Sequence, residues 1–251
     1  MLVNRTFLII LITYVAMQLS SFVVVPVALL VGRSVSSAEP TVLLNLVSGY
    51  WIFLSFMIGL IVILFVLNRN KGVLDLPGEK AGPAMIAIWS FIGIFLAFFS
   101  QMIAVGIEYL IGIEPGSDNT AQLIDLLSYV PLAAVAIAIF GPILEEIVFR
   151  GVIFGWFYRK YNFFISGLIS ALIFAVIHFD FTHILIYAAM GYAFAFLYAF
   201  TKKIIVPIIA HMAINTFVVM TQFFFAEEIQ RIVELNEAFA LVWRAVLGGI
   251  L

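Results

Sequence analysis

The 251-residue chain is 65% apolar and only 10% charged, which leaves too little polar surface for a water-soluble fold of this size. A net charge of −2 with no basic tail or Arg-rich stretch argues against a nucleic-acid partner. With no cysteine there can be no disulfide, thiolate zinc site, iron–sulfur cluster or thiol nucleophile, so any catalysis must come from Glu, Asp, His, Ser or a metal.

Apolar runs long enough to cross a hydrocarbon core of about 30 Å follow one another along the chain. Spans are predicted at 7–31, 41–67, 84–113, 127–157, 163–178, 182–200 and 204–225. The first is too long for the apolar core of a signal peptide and lacks a small-residue cleavage site, so it reads as a retained span. In the tail, 226–251, apolar Ile229, Ile232, Val233, Leu235 and Phe239 mix with Glu227, Glu228, Arg231, Glu234 and Glu237. That segment reads as an interfacial amphipathic helix or an eighth span. The expected fold is all-α, a polytopic transmembrane helical bundle of seven to eight spans.

With seven alternating spans, Arg5, the group Arg69, Lys71 and Lys80, then Arg159 and Lys160, then Lys202 and Lys203 fall on one side. Excess Lys and Arg mark the cytoplasmic side, so the N-terminus is expected in the cytosol of a multi-pass cell-membrane protein. No repeat divides the chain into inverted halves. Residues 1–120 read as N-terminal spans with hardly any charge. Residues 121–225 form the candidate catalytic core, since 144–215 concentrates the charged and imidazole side chains placed within spans. Residues 226–251 are the tail.

The fourth span carries Glu145, Glu146 and Arg150 in an otherwise apolar stretch. Each charge costs about 2.5–3.5 kcal/mol at the centre of an inserted helix, so all three are expected to face the protein interior and find partners. Glu146 and Arg150 are four apart and share a helix face in the favourable Glu-before-Arg order. Glu145 is turned about 100° from Glu146 and is free to face a cavity. Two adjacent carboxylates beside one cation divide their roles: Glu146 with Arg150 is structural and Glu145 is the base. A charge cluster that only pins helices together is the competing reading of these three residues.

The fifth span ends Phe174-Ala-Val-Ile-His178, and the seventh contains His211-Met-Ala-Ile-Asn215, each pair on one helix face. Four polar groups on three helices, with almost nothing else to partner them, point to one shared site. His183, in the connector with Asp180 and Thr182, reads as a lip residue or as inert. Gly151 and Gly155 form a small-xxx-small pair that would admit a neighbouring helix closely. Gly141-Pro142 is expected to distort the helix just before Glu145, and Tyr187, Tyr192 and Tyr198 read as core packing.

Glu-Glu-x-x-x-Arg at 145–150, Phe-x-x-x-His at 174–178 and His-x-x-x-Asn at 211–215 stand in the order seen in the CAAX protease and bacteriocin-processing family of intramembrane endopeptidases. The chain resembles that family over about residues 125–220. The resemblance implies that Glu145 and His178 activate a water molecule for attack on a peptide carbonyl. It implies His211 and Asn215 as oxyanion stabilisers, Glu146 with Arg150 as support, and a membrane-associated or lipidated, CAAX-like protein or peptide as substrate.

No cofactor is required on this reading. Zinc remains open, because Glu145, His178 and His211 could bind it and leave a position for water. A proton- or ion-coupled transporter and a non-catalytic immunity or scaffold protein are the other functions these residues allow. Depth is the difficulty for a single site: at 1.5 Å per residue His211 lies about 12 Å beyond Lys203 and His178 about 27 Å beyond Lys160. Tilt, a short or sunken fifth span, or a buried connector must make up the difference.

Overall fold

The computed structural model describes residues 4–114 and 118–235, of which 118–121, 124 and 226–235 are followed by backbone alone. The described residues form helices and connectors and contain no strand. Helix α1 (Arg5–Val35) starts at Asn4, whose side chain accepts the Thr6 N–H at 2.9 Å. α2 (Pro40–Arg69) and α3 (Pro83–Leu110) each begin with proline, where the missing N–H costs no helical hydrogen bond. α4 (Asp118–Tyr129) is short.

The fourth expected span differs from its sequence reading. Pro131 lies in the break after α4, and the next helix starts at Ala133, not at 127. That helix, α5, runs unbroken over 133–158 but alternates between α turns and two π stretches, Ala136–Phe140 and Glu146–Phe154. Pro142 accounts for the first stretch. It has no N–H for the Ala138 carbonyl and its ring would collide with it, and the turn ahead is widened so that the Gly141 N–H reaches the Ala136 carbonyl. The distortion expected at Gly141-Pro142 therefore takes the form of an extra residue per turn.

α6 (Phe163–Val176) is capped by Asn162, which accepts the Ile165 N–H at 3.0 Å. Its 14 residues span about 21 Å, short of a full crossing. α7 (Ile184–Thr201) ends at Lys202 in the left-handed conformation, and α8 (Ile205–Leu235) follows. α8 continues without a break through 226–235, so this part of the tail prolongs the last span and does not start a separate helix. Residues 236–251 lie outside the described residues. By length and composition, α1, α2, α3, α7 and α8 over Ile205–Phe225 can each cross a membrane. With α5 and the short α6 they account for the seven expected spans of a multi-pass membrane protein, α4 being additional.

α7 is the central helix. Gly191 brings its backbone against α6, where a Cβ would lie 3.1 Å from the Ala171 Cα, and Phe194 and Leu197 are fully buried in the main apolar cluster with Ala97 of α3 and Ala210 of α8. α1–α3 instead turn large apolar side chains outward, among them Phe22, Ile61 and Phe91, as hydrocarbon permits.

At one end of the bundle, connector 70–82 is tied down by polar contacts. Arg159 donates to the Val73 and Asp75 carbonyls, Tyr198 donates to the Leu74 carbonyl, and the Ala81 N–H donates to Thr201. This connector occupies the space expected for a helix against Gly151: a Cβ there would meet Leu74 and Ile204 at 3.0 and 3.1 Å. The small-xxx-small pair thus admits a loop.

Candidate active site

α5 presents its two carboxylates to different surroundings. Glu146 is fully buried and Glu145, one residue earlier, opens into a cavity. The Glu146 carboxylate lies 3.2 Å from Arg150 Nε, and neither side chain is exposed. Arg150 also donates to the Gly191 carbonyl and sits over the rings of Phe174 and Phe194, 4.3 and 5.2 Å from their centroids. Aromatic faces and a carbonyl thus replace water around a guanidinium that hydrocarbon alone would not accept.

His211 of α8 completes this group. Its Nδ1 lies 2.9 Å from Glu146 Oε1, and its Nε2 is 3.8 Å from Glu145 Oε2. A carboxylate paired with arginine accepts, so Nδ1 is the donor and Nε2 is aimed at Glu145. The ring stacks on Phe194 at 4.7 Å. Asn215, one turn further on, donates through Nδ2 to the Ile137 carbonyl at 3.1 Å, in the π stretch of α5. Its second N–H is left over, and its Oδ1 is buried without a partner among the described residues.

His178 lies two residues past the end of α6, in the turn that leads through Phe179 at positive φ. Its Nδ1 is 2.7 Å from the Phe174 carbonyl. A carbonyl only accepts, so Nδ1 carries the proton and the Nε2 lone pair is left free in the neutral ring. Tyr187 of α7 stacks on this imidazole at 4.2 Å. Phe174 touches both histidines, its centroid 4.6 Å from His178 and 6.0 Å from His211. His178 and His211 nevertheless line one cavity and flank the same Phe174 ring, so their different distances along the chain do not separate them in depth.

Glu145, His178, His211 and Asn215 all line one cavity of about 380 Å³. A second cavity, of about 490 Å³, lies against Tyr14, Leu19, Phe22, Ile177 and Phe179. Glu145, His178, Gln18 and Phe56 line both, so the carboxylate and the imidazole stand at the junction of two chambers. Among the described residues no three His, Asp or Glu side chains converge to hold a metal.

Several contacts were not legible in the sequence. The Glu146–His211 bond joins helices 65 positions apart, and Tyr187 had read as core packing. His183 is neither a lip residue nor inert: it is buried, with Nδ1 2.9 Å from the buried Glu108 of α3. Glu108 lies inside the third predicted span, so the first 120 residues are not as empty of charge as they read. A lone carboxylate in that apolar run was the available signal. Tyr14 and Gln18 of α1 were also missed, although Gln18 is a lone amide within the first span.

A helical membrane bundle with a cavity of about 380 Å³ into which Glu, His and Asn side chains open defines a class of membrane-embedded hydrolase candidates, and comparison with known proteins narrows it. The family profile described as type II CAAX prenyl endopeptidase, Rce1-like, matches residues 127–217, which include all six polar site residues. The chain is 43% identical to the putative membrane peptidase YdiL of Bacillus subtilis (strain 168), over 85% of this chain and 87% of the relative. It is 35% identical to the membrane-embedded CAAX protease MroQ of Staphylococcus aureus (strain USA300), over 71% of this chain and 76% of that one. No solved structure gives a significant match. The chain belongs to the CAAX protease and bacteriocin-processing family of membrane peptidases.

Proposed function

We propose that the protein is an intramembrane endopeptidase of the glutamate type, its N-terminus cytosolic, that hydrolyses a peptide bond in a membrane-associated or lipidated, CAAX-like protein or peptide. The observation that carries this reading is the single cavity lined by Glu145, His178, His211 and Asn215. Glu145 takes a proton from water as its oxygen attacks the carbonyl carbon, while the free Nε2 of His178 accepts a hydrogen bond from the water's other O–H and orients it. The charge that develops on the carbonyl oxygen is received by His211 Nε2–H and by the unused N–H of Asn215. The proton taken from water then passes to the leaving amine as the C–N bond breaks.

This assignment needs His211 protonated at both nitrogens. Glu146 holds Nδ1 and Glu145 faces Nε2. Glu146 and Arg150 thereby act as positioning residues, and no step needs a metal. The excess of Lys and Arg on the connectors after α2, α5 and α7 supports the orientation.

The test is cleavage of a lipidated or transmembrane peptide by the reconstituted protein. Glu145→Gln and His178→Asn are each expected to lower turnover by about 10²–10⁴-fold with the fold retained. Turnover equal to that of the parent in both variants would sink the assignment. Loss of turnover with 1,10-phenanthroline, restored by zinc, would overturn the metal-free mechanism.

A further inference from the structure

Neither Tyr14 nor Gln18 has a part in the mechanism above, yet both reach the reacting centre from a helix outside residues 127–217. Tyr14 is buried, lines the second chamber, and is within electrostatic range of Glu145 and Arg150. Its ring packs edge-on against Phe149 at 5.8 Å. Gln18, one turn on, lines both chambers and donates through Nε2 to the Tyr14 hydroxyl oxygen at 3.2 Å. That bond uses one donor of the amide and an acceptor site of the phenol. Among the described residues, Gln18 Oε1 and the Tyr14 O–H proton have no other partner.

The pair therefore offers one acceptor and one donor side by side at the junction where Glu145 and His178 stand. In an extended chain the N–H and C=O of one residue point the same way, which is the pattern a strand edge meets in its neighbour. An extended peptide entering a low-dielectric cavity loses the water that satisfied those groups, and the site must replace it. We propose that Tyr14 and Gln18 form a main-chain clamp, Gln18 Oε1 accepting a substrate N–H and Tyr14 O–H donating to the carbonyl of the same residue. The clamp lays the peptide across Glu145 and His178 with one flank in each chamber. It reads backbone and not side chains, so it favours extended apolar segments of varied sequence. The proposal rests on the peptidase reading for the place of the scissile bond, but it concerns binding and is tested without turnover.

The probe is an end-capped, fluorescent Leu/Ala nonapeptide, together with analogues in which each N–H in turn is methylated. These are titrated into the Glu145→Gln protein in nanodiscs, with and without Gln18→Met. Methylation at one position is expected to weaken binding about tenfold when Gln18 is present, the worth of one hydrogen bond. With Gln18→Met the same methylation is expected to cost less than about twofold, as its partner is gone. These are ratios within one protein, so a partly folded preparation does not disturb them. Tyr14→Phe, which keeps the ring against Phe149, is expected to weaken the unmethylated peptide about fivefold. A methylation profile unchanged by Gln18→Met, or no measurable affinity for the nonapeptide, overturns the clamp. Failure of the peptidase reading shows separately, as equal cleavage by the parent and Glu145→Gln.

Discussion

The α1–α2 hairpin and α7 are made of similarly apolar sequence and are used in opposite ways. α7 is the less hydropathic of the two, yet 56% of its spanning window is buried, against 17% in each of α1 and α2. In water the most apolar helix goes inside. In a bilayer lipid accepts Leu, Ile and Phe as readily as a core does, so interior position goes to the helix with small residues and aromatic partners for polar groups. α7 fits this description, with Ala193, Ala195 and Gly191 for close approach, Phe194 under His211 and Arg150, and Tyr187 under His178.

Three substitutions can break or sharpen that contrast. The largest effect is expected at the centre, where Arg150→Met strands the Glu146 carboxylate. Unfolding in detergent should show a loss of about 3–5 kcal/mol; a neutral result would mean that His211 alone balances Glu146. Gly191→Leu, at the crossing of α7 with α6, must push against the Ala171 backbone, and a loss of about 1–3 kcal/mol is expected by the same measurement. Ile61→Ala on the outer face of α2 should change stability by less than about 0.5 kcal/mol. A loss there as large as at Gly191 would mean that this face packs against protein and not lipid.

Much of this arrangement could be read from the sequence because polar residues in an apolar chain are few and expensive. Scarcity singled out Glu145, Glu146, Arg150, His178, His211 and Asn215, and the structure places all six around or beneath one cavity. What could not be read depends on where helices stop and how they are wound. The end of α6 at Val176 sets the depth of His178, and no residue type announces it. The π turns of α5 lie outside a periodicity of 3.6, although Pro142 gave notice of the first. Glu146 was assigned to Arg150 by spacing along one helix, a rule that cannot show a partner on α8. Gln18, Tyr14 and Glu108 were visible as residues but lay in the half of the chain that carries no motif.

The π stretch at Ala136–Phe140 has a consequence for how such sequences are compared. A π turn is what one inserted residue leaves in an α-helix that has not broken. The path of the helix continues, but its faces are offset by about 100° across the stretch. Residues 136–140 therefore act as a phase setting for the carboxylates that follow. A relative lacking one residue there and wound as plain α-helix would aim Glu-Glu-x-x-x-Arg in the same direction, whereas the same length of chain without the π turn would aim it about a quarter turn away from His178.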